Sequence, residues 1–313
     1  MPKLLNPKFS ICVNLCPVLN YKKEKNMIST ARKVRQIIEP QTVMEGAGVR
    51  LKRSIATQIL DHIDPFLLFD HFGSDDPKDY IKGFPMHPHR GIETVTYMIE
   101  GSVSHKDSIG NAGSIGSGDV QWMTSGGGIM HEEMPQPAPG KMVGFQLWVN
   151  LPAKLKLCQP RYQNIAANHI PEINRDDGVI IRVIAGEVDN IRGPVSEIAA
   201  DPIYLDIKIP SSGTFSYPID RGQTAFAYIF DGEGKFGETS DSAADNVTHP
   251  RLIVFGNGDY IQANASNHGV RFLLVSGKPL NEPIVRYGPF VMNTQEEIEQ
   301  ALEDLRKGTF VKN

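Results

Sequence analysis

Four of the nine histidines in this 313-residue chain, His87, His89, His105 and His131, fall inside one 45-residue stretch, whereas residues 178–313 hold two, His249 and His268. Imidazole is the commonest side-chain ligand of transition metals, so any histidine-based site belongs to the first half. His87-Pro88-His89 is an H-x-H pair, and on a strand of period two both rings point to one face. Glu93, four residues beyond His89, shares that face if the strand runs unbroken. His131 and Glu133 repeat the one-residue spacing. Two such pairs facing each other across a small barrel supply three imidazoles and a carboxylate to one ion. A lone histidine in a strand is ordinarily a satisfied core or surface residue; two same-face pairs in one region outweigh that reading.

The elements that must carry these residues are strands. From residue 40 to about 290, short runs rich in Val, Ile, Tyr, Phe and Thr alternate with Gly, Pro, Asn and Asp turns: Glu93 to Ile99, Gly144 to Asn150, Val179 to Ile184, Ile203 to Ile209, Thr224 to Phe230 and Val270 to Val275. Such a pattern reads as a sandwich or barrel. One helix is predicted, at the C-terminus, where Thr294 and Glu297 form a capping box ahead of an apolar stripe, Ile298, Ala301, Leu302 and Leu305. An internal echo sets the domain count. Tyr97-Met98-Ile99-Glu100-Gly101 recurs as Tyr228-Ile229-Phe230-Asp231-Gly232, and Gly116-Ser117-Gly118-Asp119 as Gly256-Asn257-Gly258-Asp259. A repeat of that length is too long for a solenoid and reads as two copies of one β-domain. Carrying the first offset to His87, His89 and Glu93 lands on Pro218, Asp220 and Thr224, so a second metal site is not expected.

The predicted divisions are an extension over 1–39 without fixed structure, a metal-binding domain over 40–177, a metal-free domain over 178–293, and a helix with its tail over 294–313. In the extension, the apolar stretch from Phe9 to Leu19 precedes most of the charges, the reverse of a secretory signal. Met27 reads as a fresh start, so residues 1–26 are expected to be absent from the mature protein. Cys12 and Cys16 lack a second pair to complete a zinc site.

With 40% hydrophobic and 22% charged residues, the chain can bury a sizeable core. No apolar run approaches the roughly 18 residues that a membrane-spanning helix needs. Three cysteines, Cys12, Cys16 and Cys158, are too few for a disulfide framework and fit a reducing compartment. The expected location is the cytoplasm, or also the nucleus if the source is eukaryotic. Residues 1–40 carry eight Lys/Arg against two Asp/Glu, a net of +6, which leaves −10 on the remainder of a chain whose overall charge is −4. An acidic body argues against direct nucleic-acid binding.

The stretch Phe84-Pro-Met-His-Pro-His-Arg-Gly-Ile-Glu-Thr-Val-Thr-Tyr97 and the stretch Gly118-Asp-Val-Gln-Trp-Met-Thr-Ser-Gly-Gly-Gly-Ile-Met-His131-Glu-Glu-Met-Pro135 resemble the pirin family of the cupin superfamily. Gln146-Leu-Trp-Val-Asn-Leu151 and Gly288-Pro-Phe-Val-Met-Asn-Thr294 extend the resemblance to roughly residues 40–307. It implies an all-β bicupin, two tandem jelly-roll barrels with a metal in the first only and a C-terminal α-helix packed on the body. The family's ligands fall on His87, His89, His131 and Glu133. The general cupin pattern instead uses the position of Glu93. The resemblance favours Glu133, leaving Glu93 behind the ligands or facing a substrate. Three residues separate Gly83 from His87, where cupins usually have five, a departure that matches the pirin form.

The resemblance further implies one transition-metal ion, iron first, with manganese, cobalt, nickel or copper as alternatives. Several pirins resemble quercetin 2,3-dioxygenases, which cleave a flavonol with O₂ and release carbon monoxide; Glu133 or Glu93 is then the base for the flavonol hydroxyl. Other pirins resemble non-catalytic, iron-binding co-regulators of transcription that act through a protein partner. A monomer is the default. His105 is expected to flank the pocket, not to bind metal. Trp122 and Trp148 are expected in the core, although Trp122 could line a pocket for a flat substrate. Gly126-Gly127-Gly128 reads as a close backbone approach beside the metal strand.

Overall fold

The computed structural model describes residues 29–137, 140–237 and 246–311. The stretch from Phe9 to Leu19, Cys12, Cys16 and Met27 lie outside the described residues. The first domain is built from eleven strands: β2 (Gln41–Glu45), β3 (Val49–Ile55), β4 (Phe66–Ser74), β5 (Phe84–His89), β6 (Ile92–Glu100), β7 (Val103–Asp107), β8 (Ala112–Ile115), β9 (Val120–Thr124), β10 (Ile129–Pro135), β11 (Met142–Asn150) and β12 (Arg161–Ile165). Seven of them form one sheet in the order β12-β9-β6-β11-β4-β3-β2, and four form the facing sheet, β5-β10-β7-β8. Alternation decides the faces. In β3, Val49 and Leu51 are buried while Arg50 and Lys52 project outward.

Strand β1 (Val34–Ile38) belongs to the second domain: it pairs antiparallel with Arg251–Phe255 at the edge of a nine-stranded sheet. Residues 34–38 are therefore not part of an unstructured extension. The sheet edge offers unpaired backbone groups that this short segment satisfies. Glu172–Asn174 already pairs with Ile180–Ala185 in the same sheet, so the chain enters the second domain before residue 178.

The two large sheets pack against each other and make the main core. Val95, Tyr97 and Phe145 from one side meet Tyr204, Phe226 and Tyr228 from the other, with Phe69 and Tyr228 rings 4.7 Å apart. Burying each such ring contributes roughly 1.5–3 kcal/mol. A polar knot crosses the same contact. Tyr97 donates to Asp206 Oδ2 at 2.7 Å, Arg182 donates to Tyr97 Oη at 2.9 Å, and Arg271 grips Asp206 with two nitrogens at 3.0 and 2.7 Å. Paired throughout, these groups fix how the two cupin-like barrels align.

Helix α1 (Gln295–Lys307) starts at the capping box of Thr294 and Glu297 and stops at Gly308, whose φ of 71° suits a left-handed cap. It buries Ile298 and Ala301 against Phe290, Met292 and Phe310. Leu305, the last residue of the predicted stripe, is exposed, since the packing ends a turn earlier.

Candidate metal centre

Strands β5 and β10 run antiparallel, with His131 opposite His87 and Ile129 opposite His89. On the other flank of β10, Glu133 faces His105 across β7. Residues paired directly in an antiparallel ladder share a face, so the two sequence pairs meet inside the first barrel. The ring centroids of His87, His89 and His131 lie 4.4 to 5.0 Å apart, and one nitrogen from each falls within 4.8 Å of the others.

The protonation pattern suits a cation. His87 Nδ1 lies 2.9 Å from the Pro85 carbonyl, which can only accept, so in the neutral ring Nε2 carries the lone pair. That atom stands 3.0 Å from His89 Nε2. His131 is 1% exposed, and neither of its ring nitrogens has a partner. Buried polar atoms left unpaired are costly, and three converging nitrogens satisfied by one metal ion would remove the cost. Burial, and then the neighbouring His87, push His89 down to about 3. Burial, followed by the other three histidines of the barrel, holds His131 well below the usual imidazole range. Both rings stay neutral at physiological pH, as metal ligands must be.

Glu133 lines the cavity beside this group but is not among the side chains whose ligand atoms converge. Its Oε1 accepts from Thr96 Oγ1 at 3.1 Å, and Thr96 Oγ1 in turn lies 2.7 Å from the Gln146 amide oxygen. Burial raises its carboxyl above the ordinary range, against the pull of His87 and Thr96.

Glu93 is placed elsewhere, which corrects the expectation of a shared face. Strand β5 ends at His89, Gly91 takes φ +80°, and β6 begins afresh at Ile92. Glu93 then has the parity of Val95 and Tyr97, which enter the contact between domains, while Thr96 lines the cavity. Its Oε1 accepts from Thr124 Oγ1 at 2.8 Å, and burial raises its carboxyl.

The cavity beside the histidines measures about 530 Å³, within the range of small-molecule sites. Val49, Leu51, Phe72 and Phe84 give it apolar walls. Trp148 lines it, its ring 5.1 Å from that of His89, and also packs against the buried Leu67, Ile92 and Val291, so it is only partly the core residue expected. Trp122 is 1% exposed and lies in the core between the domains. Period two along β11 carries the signal for this difference, because Trp148 shares the parity of Gln146. Arg53 bonds to both oxygens of Asp70 at 2.8 and 2.7 Å and to Glu45 at 2.6 Å, a network that spacing did not announce. His105 stacks on Tyr162, with centroids 5.9 Å apart.

The backbone around the centre is clamped from outside. Lys156 Nζ donates to Gly91 O, Asn150 Oδ1 and Val291 O at 2.6–2.9 Å. At Gly126 a Cβ would meet Cys158 O at 2.1 Å, and at Gly128 it would meet Phe310 O at 2.5 Å. These glycines are close approaches to neighbouring backbone. Among the described residues, no second group of this kind accompanies Asp220 in the other domain.

The pirin family profile matches residues 48–149 and that of the pirin C-terminal cupin domain matches residues 204–311. A pirin-like protein of Caulobacter vibrioides is 42% identical over 280 residues, covering 89% of this chain and 99% of the relative. Human pirin is 41% identical over 284 residues, covering 89% and 94%. The structure of a quercetin 2,3-dioxygenase from Acinetobacter baumannii superposes with a TM-score of 0.81 at 34% identity, covering 89% of this chain and 98% of that one.

Proposed function

The chain belongs to the pirin family, and from that premise we propose that it is a metal-dependent oxygenase of the quercetin 2,3-dioxygenase type, opening flavonol-like substrates with O₂. The observation that carries this reading is the convergence of His87, His89 and His131, two of which line, together with Glu133, a cavity large enough for a flat bicyclic substrate. Its likeness to the Acinetobacter baumannii enzyme supports it.

The three imidazoles and Glu133 are the residues that would hold the ion. Bound there, iron, or else manganese, cobalt, nickel or copper, supplies Lewis acidity and one-electron exchange to the deprotonated substrate. The protein's own part is to orient, to dry and to move a proton. Apolar walls and the Trp148 ring hold a planar molecule against the histidines. Of the cavity carboxylates, Glu45 and Asp70 are both engaged by Arg53, whereas Glu133 is bonded through Thr96. Among the cavity carboxylates Glu133 is therefore the one placed to take the flavonol hydroxyl proton. A raised carboxyl suits a group that must accept and later return a proton.

Quercetin added to the purified protein without O₂ should stay unconverted, and admitting air should bleach its absorbance. His89→Ala should abolish the bleaching. Bound metal with no bleaching under air would overturn the reading and favour a regulatory, partner-binding role.

A further inference from the structure

The first barrel's cavity is lined on one side by a residue of the second domain. Arg286 lies at the mouth, its guanidinium carbon 5.1 Å from the centre of the Trp148 ring, which is itself 5.1 Å from the His89 ring. No more than two such steps separate the guanidinium from a histidine of the metal group. Its own hydrogen bonds are long, 3.4 Å to Gly288 O and 3.4 Å to Leu67 O.

The two guanidiniums of this cavity differ in what they have left to give. Arg53 is saturated by Asp70 and Glu45. Those two carboxylates carry one charge more than Arg53 supplies, and with Asp61 they act on Arg286 through space. Arg286 makes no direct contact with a carboxylate among the described residues, its hydrogen bonds going to the two carbonyls alone. A guanidinium with donors to spare, resting on an indole at a cavity mouth, is built to take a planar acid: the ring system against Trp148 and the acid group on the fork.

We propose that Arg286 is a specificity-determining residue that selects aromatic substrates bearing a carboxylate, or an equally anionic group, at the end remote from the metal. The proposal rests on the reading of this cavity as the substrate site, and it names the class of substrate.

The test measures binding, not turnover. The full-length protein as purified is titrated calorimetrically with 2-naphthoate and with 2-naphthamide, which share a ring system and differ in charge. The wild type should bind the acid about tenfold more tightly, as one charge-assisted bidentate contact at a partly exposed site would give. Arg286→Met should erase that preference while leaving affinity for the amide within about twofold, and Arg286→Lys should keep part of it. Equal affinities in the wild type, no binding of either compound, or a preference for the acid that survives Arg286→Met would overturn the proposal; the last would place the carboxylate on the metal. Quercetin turnover takes no part in this measurement. Loss of the dioxygenase reading would therefore leave a positive result standing, and a negative one would leave that reading untouched.

Discussion

The guanidinium of Arg90, the residue after His89, donates to Asp304 Oδ2 at 2.7 Å and lies 4.4 Å from the centre of the Phe310 ring. A helix more than two hundred residues away in sequence thus grips the strand that presents two metal-group histidines. Arg90 is 2% exposed, so removing its partner leaves a buried charge uncompensated. Asp304→Ala is expected to cost about 3 kcal/mol, measured by denaturant unfolding, and to lower metal occupancy at limiting metal. Unchanged stability would mean that the ion pair does not tie the helix to the strand.

Gly91 is required by both conformation and space. Its φ is +80°, and a Cβ there would sit 2.0 Å from Val291 O. Gly91→Ala should destabilise the protein by more than about 2 kcal/mol. It should also weaken metal binding through the adjoining His89. A variant with wild-type stability and metal content would contradict this account of the break between β5 and β6.

The two glutamates should separate cleanly. Glu133→Gln is expected to lower metal affinity by at least about tenfold, the scale of even indirect ligand support. Glu93→Gln, on the opposite face of its strand, should keep the metal. Elemental analysis after dialysis against a weak chelator reads the difference. Equal losses would return Glu93 to the ligand set.

The histidine constellation was legible because period two in a strand is rigid. H-x-H and H-x-E each declare a shared face, and antiparallel pairing of β5 with β10 brings the faces together. The C-terminal helix was legible for a similar reason, since its capping box is a local device. Glu93 failed because face-sharing holds only along an unbroken strand, and Gly91 ends one. The cavity-lining side of Trp148 was not legible because burial and cavity lining look alike in an apolar run. Arg286 and the Arg53 network depend on contacts distant in sequence, for which no spacing rule exists. Residues 34–38 were missed because the sheet edge they complete forms more than two hundred residues later.

His71 should set part of the acid sensitivity. Half-buried between the domains, with Nδ1 3.0 Å from Tyr228 Oη, it is pushed down to about 3 by burial first and then by Lys52 and His249. The folded value lies below the unfolded one, near 6.5. Between the two the unfolded chain binds the additional proton, so stability rises with pH through this window, is complete above it, and is lost as pH falls. His71→Phe should flatten the slope of unfolding free energy between pH 4 and 6 by up to about 1.4 kcal/mol per pH unit. An unchanged slope would exclude His71 as the source.

Under the proposed function, the His87, His89 and His131 group, with Glu133 beside it, holds a metal used to open a flavonol with O₂. The most direct measurement follows O₂ uptake, carbon monoxide release and quercetin loss together, in protein of known metal content. Equimolar changes in all three, proportional to bound metal and absent in His89→Ala, are the predicted result. Fully metal-loaded protein that leaves quercetin intact under air would contradict the claim.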